Sequence, residues 1–280
     1  MATAEDGTGQ RRARGRPRAW SDTTEQNRIK SLDRAIGVLE RLSELGGATL
    51  SDLAEATDHA PASLYRILVT LESRGMVDFD PVPQTWHIGP SAFRIGSRFL
   101  RRTSLVERAR PVLRTLMEAT GETANLGIAR EGHVLFVSQV ETHESIRAFF
   151  PPGTMSPMHA SGIGKALLAQ LPPERAAHIA AKHGLTRFTG RTLTAPEALA
   201  ADLAQTRRRG YAIDDQEKTR GMRCIAAPIF DMHDEAVAGL SISGPADRLP
   251  DDAIPDIGAK VIEAAASVSR GLGAGRVASV

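Results

Sequence analysis

The hydrophobic period of this chain changes near Met76. Before it, Ile29, Leu32, Ile36, Leu39 and Leu42 fall at helical spacing. Ser31 is the expected N-cap of that helix, and Gly46-Gly47 ends it. Thr49 or Ser51 opens a short second helix carrying Leu50, Leu53 and Ala54, which stops at Thr57-Asp58-His59. A third begins at Pro61, where a missing N–H costs nothing, and runs Leu64, Ile67, Leu68 and Leu71 along one face towards Gly75. Met76–Asp80 then alternates with period two, Pro81-Val82-Pro83-Gln84 makes a turn, and Thr85–Ile88 returns as a second strand. Helix, helix, turn, helix and hairpin in this order is a winged helix-turn-helix.

That unit uses less than a third of the 280 residues, so a second domain is expected. Residues 90–120 read as a long helix broken near Thr103-Ser104. Beyond it lie a hairpin (Thr123–Ala129 and His133–Val140), a further strand at Ile146–Phe150, and helices at Gly164–Leu171, Pro173–His183 and Pro196–Gly210. A closing hairpin, Cys224–Phe230 with Ala236–Ser243, precedes a last amphipathic helix at Ile254–Leu272. The expected fold class is α/β (α+β), with a mostly antiparallel sheet in the larger domain. The expected boundaries are a disordered basic arm at 1–27, the winged helix-turn-helix at 28–90, a linker helix at 91–104, the second domain at 105–273 and a tail at 274–280.

Several function classes drop out. There is no long apolar run for a membrane span, and the first twenty residues lack the apolar segment of a secretory signal. One cysteine permits no internal disulfide and suits a reducing cytoplasm. Eight histidines without an HExxH pairing or a second cysteine give no metal expectation. No cofactor motif is present: His159 to Ala166 lacks the first Gly and the last Ser/Thr of a phosphate-binding loop.

With Leu64, Ile67, Leu68 and Leu71 turned inward, the third helix presents Pro61, Ala62, Ser63, Tyr65, Arg66 and Thr70 outward. Residues near the start of a recognition helix reach base edges in the major groove, and Arg pairs bidentately with guanine. Double-stranded DNA is therefore the expected partner. Upstream, five of the eight residues Arg11–Arg18 are arginine. Arg14-Gly15-Arg16-Pro17-Arg18 has the extended, basic character that suits a narrow A·T minor groove; the bland alternative is a solubilising tail.

The run SLDRAIGVLERLSELGGATLSDLAEATDHAPASLYRILVTLESRGMVDFD resembles the DNA-binding domain of the IclR family of bacterial regulators. WHIGPSAFRIGSRFL resembles its wing and linker helix, and MHASGIGKALLAQLP, GYAIDDQEKTRGMRCIAAPIFD and AGLSISGP resemble landmarks of its GAF/profilin-like effector domain. The resemblance spans residues 29–272, with ETANLG and IRAFFPPG shared in particular with regulators of glyoxylate assimilation. Where many members carry Lys-Ser-Thr on the reading helix, this chain has Pro61-Ala62-Ser63. The resemblance implies a homodimer or dimer of dimers, and a small carboxylate effector such as glyoxylate. That effector would contact Gly162 and Ile163, with polar groups at Asp214, Cys224, Ser241 and Ser243.

The residues themselves fit such a site. His159, Ser161, Gly162, Ile163 and Gly164 lead into a helix whose N-terminus favours an anion. Ser241 and Ser243 share one strand face, and Met155 and Met222 offer adaptable apolar walls. An aromatic acid is the alternative effector. A Cys224–His159–Asp214 enzyme is the rival class, disfavoured because Cys224 lies in the apolar run CIAAPIF, where a buried thiol is inert.

Overall fold

The computed structural model describes residues 28–102 and 105–275. The basic arm with Arg14, Arg16 and Arg18 lies outside the described residues. The chain divides between Gly96 and Ser97 into two compact units.

The first unit runs α1 (Lys30–Leu45), β1 (Ala48–Thr49), α2 (Leu50–Thr57), α3 (Pro61–Glu72), β2 (Val77–Asp80) and β3 (Thr85–Ile88). Ser31 is not the cap of α1. The Ile29 carbonyl already accepts the Leu32 and Asp33 N–H groups, so the helix begins one residue before Ser31, without a side-chain cap. Gly46 ends it in the left-handed region at φ 69°. At the start of α2, the Thr49 hydroxyl accepts the Asp52 N–H at 3.2 Å while the Asp52 carboxylate accepts the Thr49 N–H at 3.4 Å. This reciprocal cap is worth about 1 kcal/mol. Leu64 and Leu68 of α3 are fully buried against Val38, Leu42, Leu53, Val77 and Trp86. The strands form an antiparallel sheet in the order β1-β3-β2. β1 escapes a sequence reading because two residues cannot show alternation. Not all of the apolar stripe on α1 goes inward: Ile29, Leu32 and Ile36 are 66%, 54% and 48% exposed.

Two helices, α4 (Pro90–Arg102) and α5 (Leu105–Thr120), occupy the stretch read as one broken helix. The second unit continues with β4 (Thr123–Arg130), β5 (His133–Val140), β6 (Met155–Pro157), α6 (Gly162–Leu168), α7 (Pro173–His183), α8 (Pro196–Arg209), β7 (Ala212–Asp215), β8 (Met222–Phe230), β9 (Ala236–Pro245) and α9 (Ile254–Gly271). Six strands in the order β6-β5-β4-β9-β8-β7 pair antiparallel throughout. One face, through Leu126, Ile225, Leu240 and Ile242, packs on α5 and α9. The other, through Val134, Phe136 and Ala226, packs on α6, α7 and α8.

The strand expected at Ile146–Phe150 is absent. The Ile146 carbonyl is taken by Arg248 at 2.9 Å instead of by a neighbouring strand. Pro151 and Pro152 then deny the segment two ladder donors. Pairing with β5 resumes where Thr154 accepts the Phe136 N–H, so β6 becomes the edge strand.

Candidate functional site

In the first unit, Leu64 and Leu68 fix the roll of α3 and leave its other face open. Pro61, Ala62, Ser63, Tyr65, Arg66 and Thr70 are all exposed, as a reading helix requires. The Thr70 hydroxyl donates to the Arg66 carbonyl at 2.7 Å, so it is engaged within the helix. At the hairpin tip, Gln84 adopts φ 53° and Val82 stands 90% exposed.

In the second unit, strand register assembles a polar floor on the face that carries α6. One row reads Asp214–Cys224–Ser243–Thr123 across β7, β8, β9 and β4. The next reads Ala212–Ala226–Ser241–Asn125–Gln139. Directly paired residues point to the same side of a sheet, so these side chains share one surface. Asp214, Cys224, Ser241, Ser243, Thr123 and Asn125 are all buried. The Asn125 amide donates to Ser243 Oγ at 3.2 Å, and the Gln139 amide donates to Asn125 Oδ1 at 3.0 Å. Asp214 Oδ1 accepts the Glu217 N–H at 2.8 Å. Thr123, Asn125 and Gln139 were not anticipated. Their signal lay in Thr123 and Asn125 alternating with apolar Ala124 and Leu126, which marks a strand with a polar inner face.

α6 roofs this floor. A Cβ on Gly162 would meet the Cβ atoms of Ala226 and Cys224 at 3.3 and 3.4 Å, so the missing side chain lets the first turn lie against β8. On Gly164 a Cβ would fall 2.3 Å from the Met158 carbonyl oxygen. Ile163 is buried over Gly127 and Gly239, paired glycines on adjacent strands that leave a hollow for it. Ser161 caps the helix, its hydroxyl accepting the Gly164 N–H at 3.4 Å. Gly162, Ile163 and Gly164 thus pack closely on the sheet and on Met158.

Two other expected site residues lie elsewhere. Met155 pairs with Leu135, whose side chain joins the α5/α9 face, and is 45% exposed. His159 is buried, but its Nε2–H donates to the Thr186 carbonyl at 3.0 Å and its ring stacks on Phe188. It lines a cavity of about 70 Å³ with His133, Met158, His183 and Thr186. Met222, two positions before Cys224, sits half-buried at the end of the polar face.

Next to the floor is a buried charge cluster absent from the sequence reading. Lys165 of α6 is fully buried, its ammonium 2.5 Å from Glu217 Oε1 and 3.1 Å from Asp202 Oδ2. Burial raises Asp214 to about 6 and Glu217 to about 7, Lys165 opposing both shifts. Thr189 and Thr192 donate to the Glu217 carbonyl, tying the loop between α7 and α8 over the cluster. Burial, and then the Asp214 charge, pushes the Cys224 thiol up. His159 is committed to Thr186, and burial keeps the Cys224 thiol in its less nucleophilic protonated form.

A winged helix-turn-helix followed in the same chain by a domain with a buried polar floor is the architecture of a DNA-binding transcriptional regulator. The models of the IclR helix-turn-helix domain and of the bacterial transcriptional regulator IclR C-terminal region match residues 31–81 and 97–270. The chain belongs to the IclR family. It is 53% identical to the HTH-type transcriptional regulator BhcR of Paracoccus denitrificans, over 93% of this chain and 95% of that one. It is 40% identical to the transcriptional repressor IclR of Escherichia coli, over 93% and 96%. An IclR homologue from Microbacterium hydrocarbonoxydans, solved with 4-hydroxybenzoate, superposes with a TM-score of 0.76 at 25% identity, covering 86% of this chain and 98% of that one. No helix among the described residues is long and apolar enough to cross a membrane.

Proposed function

We propose that this regulator reads an operator with α3 and adjusts its grip when a small carboxylate, glyoxylate or a related 2-oxo acid, settles on the polar floor of the second unit. The observation that carries the effector reading is the buried double row of Asp214, Cys224, Ser243, Thr123, Ser241 and Asn125 on an otherwise apolar sheet face. Asn125, Ser243 and Asp214 already hold hydrogen bonds within the protein, and the double row converges under one short helix. A floor of small hydroxyl and amide groups so closely roofed fits a ligand of few atoms better than an aromatic ring. The ceiling on binding energy per atom places such a ligand at micromolar affinity or weaker.

On the DNA side, Arg66, Ser63 and Tyr65 are the proposed base and phosphate contacts, with Pro61, Ala62 and Thr70 shaping the approach. Reading a two-fold operator needs at least a dimer; the exposed Ile29, Leu32 and Ile36 stripe is a surface for a second copy to cover. The proposed setting is the cytoplasm, and the proposed role excludes catalysis.

Titration calorimetry with glyoxylate, pyruvate and 4-hydroxybenzoate tests the effector reading. Glyoxylate or pyruvate is expected to bind, and Ser241→Ala to weaken that binding by about 1–3 kcal/mol through a partner left unsatisfied. Heat from the aromatic acid alone, or unaltered binding in Ser241→Ala, would rule out the floor as the oxo-acid site. Gly162→Val is a poor probe, because its side chain would drive α6 off β8.

A further inference from the structure

We infer that His133 and His183 form a two-imidazole site for a divalent metal ion of the zinc class, in the small cavity beside the end of α7. That cavity shares no lining residue with the polar floor.

One tight turn brings the two rings together. Between β4 and β5, Glu131 and Gly132 both adopt the left-handed region, at φ 50° and 77°. The turn delivers His133 to the start of β5, with its ring Nδ1 3.1 Å from the Glu131 carbonyl. A carbonyl only accepts, so Nδ1 carries the ring proton and donates it, and the neutral ring keeps a bare lone pair on Nε2. A histidine whose second nitrogen is held by a backbone carbonyl is the usual form of a metal-binding histidine. Gly132 makes room for the other ring: a Cβ there would fall 2.3 Å from His183 Cδ2. His183, the last residue of α7, thus stands edge-on to His133, with ring centroids 6.0 Å apart. Two imidazoles sharing one ion through nitrogens about 2.0–2.1 Å from it have centroids roughly 5–6 Å apart.

The cavity they border, about 70 Å³, also has His159 and Thr186 in its wall. That is room for an ion and several of its waters. His159 has its tautomer fixed in the same way, its Nε2–H donating to the Thr186 carbonyl, which leaves Nδ1 without a proton on the neutral ring. No carboxylate or thiol lines the cavity. Imidazole nitrogen suits zinc, copper or nickel, whereas magnesium and calcium take oxygen ligands. Among the described residues no three His, Cys, Asp or Glu side chains are already grouped for one ion, so water completes the shell and the ion stays exchangeable. His183 is exposed, which gives the ion a way in. Once bound, the ion would tie the end of α7 to the β4–β5 turn. The two ligands stand 50 positions apart in the chain, so no spacing motif reveals them.

Zinc titrations of the full-length protein, first stripped with a chelator, decide the matter, with a competing fluorescent indicator reporting free zinc. The wild type is expected to take up zinc at this site in preference to magnesium. His183→Asn and His133→Asn should each weaken that uptake by at least about tenfold, the least that losing even an outer partner of a metal ligand costs. His183 is exposed and His133 half-buried, so both variants should fold, and melting temperatures without metal check this. Zinc above its dissociation constant should raise the melting temperature of the wild type but not that of His183→Asn. His233→Asn, at the exposed turn between β8 and β9, controls for stray surface binding and should change nothing. Zinc affinity equal in the wild type and His183→Asn, lost in His233→Asn, or matched by magnesium would overturn the assignment, as would no zinc uptake at all.

Discussion

Gly164 and Gly37 are both helical glycines, yet they respond to a methyl group in opposite ways. Replacing a helical glycine by alanine gains about 1 kcal/mol in propensity. At Gly37 of α1 a Cβ meets nothing within 4 Å, so Gly37→Ala should stabilise the first unit by about 0.5–1 kcal/mol. At Gly164 the new carbon would lie 2.3 Å from a backbone oxygen, and α6 must shift. Overpacking of that kind costs about 1–3 kcal/mol or more, so Gly164→Ala should lower thermal stability despite the propensity gain. Equal melting shifts for the two variants would contradict the packing account. The sequence pointed to this turn through its paired glycines but not to their purpose. Close approach to Met158 depends on residues that only the fold brings together. Lys165 was harder still. A lysine after a glycine turn reads as a solvated charge, and its burial depends on Glu217 and Asp202, distant in sequence.

Among the elements, α3 and the hairpin after it were largely legible, because amphipathic period and turn chemistry are local. Thr49's reciprocal cap and Gly46's left-handed end were also written locally. The errors came where partners outside the element decided the outcome. Ile146–Phe150 has strand-like residues but no available edge, and β7 hides its alternation behind Asp214 and Asp215. The polar floor was half legible: Ser241, Ser243, Cys224 and Asp214 came from the resemblance, whereas Thr123 and Asn125 needed the register of β4 against β9. For α3 itself, Arg66→Ala is expected to weaken operator binding by about 1–3 kcal/mol if Arg66 pairs with a base. Its side chain is exposed, so stability should hold. Unchanged affinity in a mobility-shift titration, or a melting temperature several degrees lower, would move Arg66 out of the reading role.

At the scale of the whole molecule, the net charge of +2 hides a basic arm whose arginines lie outside the described residues. Deleting residues 1–19 should flatten the salt dependence of DNA binding, by about 2–3 units of log–log slope per arm if two or three arginines meet phosphates. Identical slopes for truncated and full-length protein would mark the arm as a passive tail. The two units matter together only if an effector binds one DNA-affinity state better than the other, since equal affinity for both shifts nothing. The most direct test is a fluorescence-anisotropy titration of full-length protein onto its selected operator at constant salt, with and without glyoxylate or pyruvate. Sequence-specific binding is expected, with a dissociation constant that moves by about 5–150-fold with the acid, the usual range of coupling between sites. Operator affinity that stays the same at saturating concentrations of both acids would contradict it.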